Sequence, residues 1–371
     1  MRIHSGAPSQ LPAGAFPYDL AEPLGRGASA AVYRARDLRT GARVALKVGH
    51  DARVRQLLAD EAELLVFADS PGVARLVGAG LIPDSAGHAE GPAPGLPYLA
   101  LEWVDGVALD PRHATTGDRA QMALAVARDA GDALASLHAM GVAHGDVKPS
   151  NVLLVNGSRA PRAVLVDLGL GAVVDEAVPR GGTVRYLPPE SFDGANGGDA
   201  RARDLWALGL LLAEIACADV AVATEPLSVL QTTSFSPELD AIVRPLLAAV
   251  PAARPSAEWA ARRAREALGE PESAPERRER RRRAVRRAYF AVRRPEVLRA
   301  ARGVDVRVGV SGIAGDWLRA STSLLAEIAV LRGAAADDAR ELGDLDALGR
   351  ARWLTALVGS PAARWPAPRA E

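Results

Sequence analysis

Short apolar runs separated by polar and turn-forming residues make up the first hundred residues of the chain. Runs of this kind, bounded by Gly, Asp and Pro, are typical of β-strands. One stretch, Asp51–Phe67, instead has apolar residues at a spacing near 3.6, which predicts a helix. Pro83–Pro97 is rich in Pro and Gly and predicts a loop. We expect the strands to be Ala31–Arg36, Arg43–Val48, Ala74–Ala79 and Tyr98–Leu101.

After Gly106 the hydrophobic pattern changes to that of helices. Asp118–Met140 predicts a long amphipathic helix that ends at Gly141. Two apolar runs, Val152–Val155 and Ala163–Val166, predict short strands. The apolar stretch near Leu205–Ala216 predicts a buried helix, and further helices are expected to about Leu268.

The two ends of the chain have different compositions from its middle. Residues 1–17 are rich in Pro, Gly and Ala and predict a flexible tail, and residues 269–276 predict a polar linker. Residues 277–371 are expected to form a mostly helical domain of unknown role, with amphipathic helices at Asp316–Leu331 and Asp344–Val358. Within it, the alternating run Val304–Val310 predicts a short strand or an extended connector.

Composition and length indicate a globular protein of two or three domains. The 371 residues are 49% hydrophobic and 24% charged, so the chain does not have the composition of a disordered protein. Cys217 is the single cysteine, which excludes an internal disulfide and a zinc site built from cysteines. No apolar stretch reaches the length of a membrane span, and the N-terminus has no apolar core of a signal peptide. We therefore expect a cytoplasmic protein.

The charges balance overall, with 45 basic and 45 acidic side chains, but they are unevenly distributed. From Gly269 onward there are 20 Arg against 14 Asp and Glu, a net charge of +6. Arg277–Arg294 is the most basic part and could bind an acidic partner; its alternative interpretation, which we favour, is a solvated helix face. A nucleic-acid partner is not expected. Among the basic residues there are only two lysines, Lys47 and Lys148.

The strongest chemical signal is the run His144-Gly145-Asp146-Val147-Lys148-Pro149-Ser150-Asn151, followed by Asp167-Leu168-Gly169. Asp146 can accept a hydroxyl proton, and Lys148 can neutralise charge on a transferred phosphoryl group. Asn151 and Asp167 are oxygen ligands suited to Mg²⁺, and the predicted strand pair between them would bring both to one metal ion. Earlier in the chain, Gly25 and Gly27 lie in a turn where backbone N–H groups could approach phosphate.

This ordered set of motifs resembles the protein kinase family, in particular bacterial Ser/Thr protein kinases, over residues 18–268. The resemblance implies an α+β, two-lobed fold: a β-rich N-lobe with its hinge at 18–106, a mainly helical C-lobe at 107–268, and a mostly helical C-terminal extension. ATP would bind near a hinge at Glu102-Trp103-Val104, with Mg²⁺ or Mn²⁺ as its metal and proteins as phosphoryl acceptors. Lys47 would hold the α- and β-phosphates and Glu61 would orient Lys47. The implied nucleotide-binding residues are Leu24, Gly25, Gly27, Val32, Ala45, Lys47, Leu101, Glu102, Val104 and Leu153.

The same resemblance assigns the remaining roles in the C-lobe. Asp146 would be the catalytic base, Lys148 would contact the γ-phosphate, and Asn151 and Asp167 would bind the metal. Gly181–Glu190 resembles the end of an activation segment, and Asp204-Leu205-Trp206 resembles the start of the central buried helix. Ala253-Arg254-Pro255 resembles the element whose arginine pairs with the glutamate of that segment, here Glu190. Lys148 and Thr183 are features of the Ser/Thr-specific branch of the family.

Several positions depart from the family pattern. Gly145 stands where many protein kinases have an arginine that binds a phosphorylated loop residue, and Leu170–Gly182 contains no Ser, Thr or Tyr. We therefore predict that activity does not depend on phosphorylation of this loop, and that Thr183 hydrogen-bonds near Asp146. The connection Asp219–Phe235 is short, so the helix that usually docks substrates is expected to be reduced to Glu225–Gln231.

Two alternative functions stay open on the sequence alone. The HGD form of the catalytic loop resembles that of small-molecule phosphotransferases of the aminoglycoside and choline type, although these are not expected to carry Lys148 or the Arg254 element. A pseudokinase scaffold is the other alternative, but Lys47, Glu61, Asp146, Asn151 and Asp167 are all present. Both lysines of this arginine-rich chain fall where kinase chemistry places an ammonium group against phosphate, which favours a catalytic protein.

Overall fold

The computed structural model describes residues 16–67, 72–84, 92–113, 119–139, 141–155, 161–169, 172–173, 183–192 and 199–270. These residues divide into two units. The first contains the described residues up to Val66 together with Arg75–Trp103, and the second contains Phe67–Ala74 and the described residues from Val104 onward. The predictions for residues 1–15, for the C-terminal domain with its Arg277–Arg294 segment, and for most of the loop 170–182 lie outside the described residues.

A five-stranded antiparallel sheet and one helix form the first unit. Its elements are β1 (Tyr18–Arg26), β2 (Ala30–Asp37), β3 (Arg43–Gly49), α1 (Arg55–Phe67), β4 (Leu76–Leu81) and β5 (Pro97–Glu102). The strand order is β1-β2-β3-β5-β4. A single 3₁₀ turn at Ala52–Val54 precedes α1, and Asp51 caps it by accepting a hydrogen bond from the Arg53 backbone N–H.

Alternation along β3 separates the two faces of this sheet. Val44, Leu46 and Val48 are buried in an apolar cluster that includes Tyr18 and Tyr98. The residues between them, including Lys47, therefore point to the opposite face. Lys47 therefore lies on the face of β3 that is opposite to the apolar cluster.

Helices dominate the second unit, with several short strands between them. The helices are α2 (Arg119–Ala139), α3 (Ala200–Ala216), α4 (Ala218–Val222), α5 (Pro226–Thr232), α6 (Pro237–Leu246) and α7 (Ala257–Ala267). The strands are β6 (Val107–Ala108), β7 (Val142–Ala143), β8 (Val152–Val155), β9 (Arg162–Leu165) and β10 (Ala172–Val173). Helix α2 packs against α3, α7 and β9, and α3 is buried along almost its whole length. A β-rich unit and a mainly helical unit confirm the predicted α+β fold class.

The run from His144 to Asn151 lies between the short strands of the second unit. Strands β8 and β9 form the expected antiparallel pair, in which Val152 lies opposite Leu165 and Val155 opposite Arg162. Strand β6 pairs with the other edge of β8, and β10 pairs with β7. The loop from His144 to Asn151 therefore runs from the end of one strand to the start of another.

Most predicted elements are found with shifts of one or two residues, and the starts of two helices differ more. Helix α1 begins at Arg55 rather than at Asp51, after the 3₁₀ turn. Helix α3 begins at Ala200 rather than near Asp204, because Asp199 caps it by accepting a hydrogen bond from the Arg201 backbone N–H at 2.9 Å. Asp204 lies within the helix and is 1% exposed. Helix α2 is followed by Gly141 at φ +73°, the left-handed conformation expected of a residue that ends a helix.

None of the helices in the described part of the chain is both long enough and apolar enough to cross a lipid bilayer.

Candidate active site

Strand register places several of the predicted nucleotide-binding residues on one face of the first sheet. Val32 of β2 lies opposite Lys47 of β3, and Ala45 lies opposite Leu101 of β5. Directly opposed residues of antiparallel strands point to the same face. Gly25 of β1 is in turn opposite Val32. Sequence reasoning named these residues individually, and the pairing of the strands brings them side by side.

Lys47 and Glu61 form a buried ion pair within the first unit. The Lys47 ammonium lies 2.8 Å from Glu61 Oε1 and 2.7 Å from Oε2, so it donates to both carboxylate oxygens. Their side chains are 9% and 1% exposed. A cation so little exposed to water needs a partner charge, and α1 supplies it. The lysine is thereby fixed in position on the sheet face.

The turn between β1 and β2 is connected to the end of β3. The Gly27 N–H donates to the Ala30 carbonyl at 2.8 Å, and the His50 backbone N–H donates to the Ser29 carbonyl at 3.0 Å. The Nε2 atom of His50 also lies 2.8 Å from the Gly27 carbonyl oxygen. These contacts hold both sides of a glycine-containing turn to the strand that carries Lys47.

In the second unit, the Asp146 carboxylate is surrounded by hydrogen-bond donors. Oδ2 accepts from Lys148 Nζ at 2.6 Å and from Asn151 Nδ2 at 3.1 Å. Oδ1 accepts from the Thr183 N–H and hydroxyl at 3.3 and 3.2 Å. Lys148 Nζ also donates to Thr183 Oγ1 at 3.1 Å. The predicted hydrogen bond of Thr183 near Asp146 is therefore present.

Asp204 fixes the backbone of the catalytic loop from inside α3. Its carboxylate accepts hydrogen bonds from the N–H groups of His144 and Gly145, both at 2.8 Å, and is 2.8 Å from His138 Nε2. Burial alone would raise the pKa of Asp204, but the contacts with His138, His144 and Gly145 outweigh it and lower that pKa. Gly145 has φ +81°, a conformation that favours glycine. Glycine at this position, where many protein kinases have arginine, therefore fits the backbone conformation of the loop.

His144 is a buried, neutral part of the same loop. It is 0% exposed, and burial lowers its pKa despite the nearby carboxylates of Asp204, Asp167 and Asp146. Its Nδ1 faces the Asp146 N–H at 3.4 Å. The imidazole thus contributes packing and loop geometry rather than a positive charge.

The donor set of Asn151 and Asp167 fits a hard divalent cation. The Val166 N–H donates to the Asn151 carbonyl at 2.9 Å, which joins the two positions through the backbone. Asn151 Nδ2 donates to the Asp146 carbonyl at 2.9 Å, so its Oδ1 faces away from Asp146. Asp167 has φ +67°, a conformation uncommon outside glycine that often marks functional positions. One amide oxygen and one carboxylate are the ligand types that Mg²⁺ and Mn²⁺ prefer.

The segment after Thr183 ends in a second ion pair, in which the arginine is buried and the glutamate is partly exposed. Arg254 donates to both oxygens of Glu190, at 2.6 and 2.8 Å, and its side chain is 0% exposed. The same guanidinium donates to the Ala202 and Ala248 carbonyls and lies 4.9 Å from the centre of the Trp206 ring. The structure therefore contains the pair that the motif comparison anticipated.

Comparison with known protein families agrees with this arrangement. A family model described as "Protein kinase domain" matches residues 18–264, which is most of the described chain. The chain belongs to the protein kinase family. The expected resemblance to bacterial Ser/Thr kinases is confirmed by the relatives that it matches.

Three of these relatives come from different bacteria. The serine/threonine-protein kinase PknB of Mycolicibacterium smegmatis is 31% identical over 264 residues, covering 64% of this chain and 40% of that kinase. The DNA damage-responsive serine/threonine-protein kinase RqkA of Deinococcus radiodurans is 35% identical over 212 residues, covering 54% of this chain and 30% of its own length. The serine/threonine-protein kinase pkn2 of Myxococcus xanthus is 31% identical over 202 residues, covering 51% and 23%. The alignments thus span less than half the length of these curated relatives.

The remaining predicted site residues of the kinase domain lie in both units. Leu24 is 48% exposed at the end of β1, and Glu102 is exposed at the end of β5, opposite Val44. Val104 begins the second unit, and Leu153 lies half-buried in β8 opposite Val164.

Sequence reasoning missed a polar cluster beside Thr183 in the kinase domain. Tyr186 donates a hydrogen bond to Glu214 Oε2 at 2.6 Å, and Arg185 donates to Glu214 Oε1 at 2.5 Å. Burial raises the pKa of Glu214, while the hydrogen bonds from Tyr186 and Arg185 oppose that rise. The one available signal was a glutamate inside the otherwise apolar stretch of α3.

Proposed function

We propose that this chain is an ATP-dependent serine/threonine protein kinase that transfers the γ-phosphoryl group of ATP to hydroxyl groups of protein substrates. The observation that carries the proposal is the arrangement around Asp146, whose carboxylate contacts Lys148, Asn151 and Thr183 at 2.6 to 3.3 Å. The three relatives described above, all named as serine/threonine-protein kinases, support the same class of acceptor.

In the proposed reaction, Asp146 orients the acceptor hydroxyl and takes up its proton. The hydroxyl oxygen forms a bond to the γ-phosphorus of ATP, the bond from that phosphorus to the β–γ bridging oxygen breaks, and ADP leaves with the bonding electrons. The contacts from Thr183 to Asp146 Oδ1 are the longest in the set, so this oxygen has the most capacity to accept a substrate hydroxyl as a further donor beside Thr183. Lys148 would place a positive charge beside the transferred group.

Lys47, Asn151 and Asp167 complete the proposed assignment. Lys47, oriented by Glu61, would contact the α- and β-phosphates. Asn151 and Asp167 would hold Mg²⁺ or Mn²⁺, which when bound offsets the negative charge of the phosphate oxygens. In the first unit, the face formed by Val32, Ala45 and Leu101 offers an apolar surface suited to a nucleotide base.

We further propose that activity does not require phosphorylation of the loop before Thr183. Leu170–Gly182 contains no hydroxyl side chain, and Gly145 carries no cation that could hold a phosphate. Thr183 contacts Asp146 directly through its backbone N–H and its hydroxyl, without a residue of the loop before it. Phosphatase treatment should therefore leave the rate of phosphoryl transfer unchanged.

The test is incorporation of ³²P from ATP into generic Ser/Thr protein substrates by the full chain. Asp167→Asn should abolish incorporation, because it removes the carboxylate while asparagine still tolerates the left-handed backbone at this position. Lys47→Met should reduce it strongly. Asp240→Asn is the matched control, since Asp240 pairs with Arg244 on the exposed side of α6 and should not affect transfer.

Each outcome bears on a different part of the proposal. Absence of incorporation by the wild-type chain at saturating Mg²⁺ and ATP, with a panel of substrates, would contradict catalysis and favour the scaffold alternative. Transfer to aminoglycosides or choline but not to proteins would favour the small-molecule alternative. Unchanged transfer by Asp167→Asn would contradict the assignment of the metal ligands.

A further inference from the structure

Arg185, two residues after Thr183, donates hydrogen bonds from all three of its guanidinium nitrogens. Its Nε donates to Glu214 Oε1 at 2.5 Å. One terminal nitrogen donates to the Ala223 carbonyl at 2.5 Å, and the other donates to the Val220 and Ala221 carbonyls at 2.6 and 3.2 Å. A single guanidinium therefore connects the segment that contains Thr183 to both α3 and α4.

The acceptors of Arg185 are groups that need a donor. Carbonyls in the last turn of a helix have no later backbone N–H within the helix to pair with, and Val220 and Ala221 lie in the last turn of α4. Glu214 is 2% exposed, and its second oxygen is already bonded to the Tyr186 hydroxyl. Only a planar group with several fixed donors can satisfy a carboxylate and these carbonyls together, which a lysine cannot do.

The turn that bears Arg185 is short and buries one of its side chains, that of Tyr186. Thr183 is followed by one 3₁₀ turn, Val184–Tyr186, in which Val184 is 70% exposed and Tyr186 is 8% exposed. The Tyr186 N–H donates to the Thr183 carbonyl at 2.8 Å, so the turn transmits the position of Arg185 and Tyr186 directly to Thr183. The polar contacts to Glu214 and α4, together with the buried Tyr186 ring, therefore fix this turn.

Thr183 in turn determines the surroundings of the catalytic carboxylate. Its N–H and hydroxyl both donate to Asp146 Oδ1, and its hydroxyl accepts from Lys148. A shift of Thr183 by a fraction of an ångström would lengthen contacts that are already 3.1 to 3.3 Å long. Any residue that fixes the turn thus acts on Asp146 through Thr183.

We propose that Arg185 is a positioning residue that holds Thr183 against Asp146 and so sets the catalytic geometry without a phosphorylated loop. This inference rests on the proposed kinase function and states how the geometry around Asp146 is maintained. Many protein kinases have an arginine at the position of Gly145 that binds a phosphorylated loop residue, and glycine has no such cation. Here an arginine within the segment itself binds a carboxylate of the buried helix α3. A fixed ion pair of this kind gives a constitutively ordered segment rather than a switched one.

The experiment compares Arg185→Met, Arg185→Lys, Thr183→Ala and the double variant Thr183→Ala/Arg185→Met in the full chain. We expect Arg185→Met to lower kcat about tenfold while KM for ATP stays within about twofold, since the residue contributes to positioning and not to nucleotide binding. Arg185→Lys should recover part of the loss. The double variant should be no more than about twofold slower than Thr183→Ala, because both substitutions remove the same contact to Asp146.

Arg244→Met is the matched control for these variants. Arg244 also joins a carboxylate and a backbone carbonyl, Asp240 at 2.8 Å and Thr233 at 2.9 Å, but on an exposed face of α6. It should leave kcat unchanged. Full additivity of the Thr183 and Arg185 substitutions, or an unchanged kcat in Arg185→Met, would overturn the proposal.

Amide hydrogen exchange separates this proposal from the proposed function. Exchange at the Tyr186 amide should become about tenfold faster in Arg185→Met and stay unchanged in Arg244→Met, whether or not the chain is catalytically active. Absence of phosphoryl transfer by the wild-type chain would refute the kinase function. The exchange measurement would then still test whether Arg185 fixes the turn that contains Thr183. Unchanged exchange in Arg185→Met would overturn the positioning role of Arg185, even if the chain is an active kinase.

Discussion

Replacing Glu61 by glutamine tests the physical argument for the buried pair with Lys47. The substitution keeps the volume and shape of the side chain but removes its negative charge. The Lys47 ammonium, with a side chain 9% exposed, then loses the carboxylate that contacts it at 2.7 and 2.8 Å. Glutamine can offer one carbonyl oxygen to the ammonium, so the hydrogen bond is partly kept while the charge compensation is lost.

The expected loss of stability follows from the burial of both partners. Removing one member of a buried ion pair typically costs about 3–5 kcal/mol, because the other charge stays desolvated. Since glutamine leaves no cavity and keeps one acceptor, we expect the lower end, about 3 kcal/mol. Glu22→Gln is the control on the same sheet: Glu22 contacts Arg34 at 3.1 Å with side chains 57% and 41% exposed, and its loss should cost less than about 0.5 kcal/mol.

The assay is urea unfolding followed by far-ultraviolet circular dichroism, with Glu61→Gln, Lys47→Met and the double variant measured together. Urea is preferred to guanidinium chloride because it does not screen charges. We expect the double variant to lose at least about 1.5 kcal/mol less than the sum of the single losses, since neither desolvated charge remains. The slope m should be compared among variants, because the two units could unfold separately.

Additivity of the two single losses to within about 0.5 kcal/mol would refute this reasoning. It would mean that Lys47 and Glu61 do not interact in the free energy of unfolding despite their contact. A loss in Glu22→Gln as large as that in Glu61→Gln would refute it as well, because burial would then not be the deciding factor.

Three further substitutions test the second unit. Arg254→Met should cost about 3–5 kcal/mol of unfolding free energy by leaving the Glu190 carboxylate without its cation, and a loss below about 1 kcal/mol in urea unfolding would contradict this. Burial lowers the pKa of His144, so the unfolded chain binds a proton at this site at higher pH than the folded one; stability should therefore be complete above about pH 6.5 and fall as the pH drops below it. His144→Asn should show a smaller loss than the wild type between pH 7.5 and 5.5, and an identical loss would count against a buried neutral imidazole. Gly145→Ala should lose about 1–2 kcal/mol because φ there is +81°, and an equally stable variant would show that this conformation is not strained for alanine.

Much of the fold and of the candidate site could be predicted because the relevant signals are local in the chain. The apolar spacing of Asp51–Phe67 and of Asp118–Met140 gave both helices to within a few residues, since a buried helix face repeats every 3.6 residues. The run from His144 to Asn151 contains a carboxylate, a lysine and an amide within eight positions, so its chemistry could be proposed without any long-range contact. The β8–β9 pair followed for the same reason, because its strands are close in sequence.

Contacts between distant segments were not readable in this way. Asp204 was assigned to the start of α3, yet it lies inside that helix and holds the backbone of His144, 60 residues earlier. Arg185 had no assigned role, and its pairing with Glu214 joins residues 29 positions apart on different elements. No periodicity or motif reports which of 43 arginines meets a particular buried carboxylate.

The sequence by itself determined the fold class, the family and the identity of the groups that can carry the chemistry, because these depend on residue type and local spacing. The tertiary structure decided which of these groups are in contact and how each is held. It set Lys47 on a sheet face opposite Val32 and against Glu61, and it brought Thr183 to Asp146 through a turn clamped by Arg185. Hydrogen bonds and buried ion pairs depend on tenths of an ångström between atoms of different elements, and only the packed chain defines those distances.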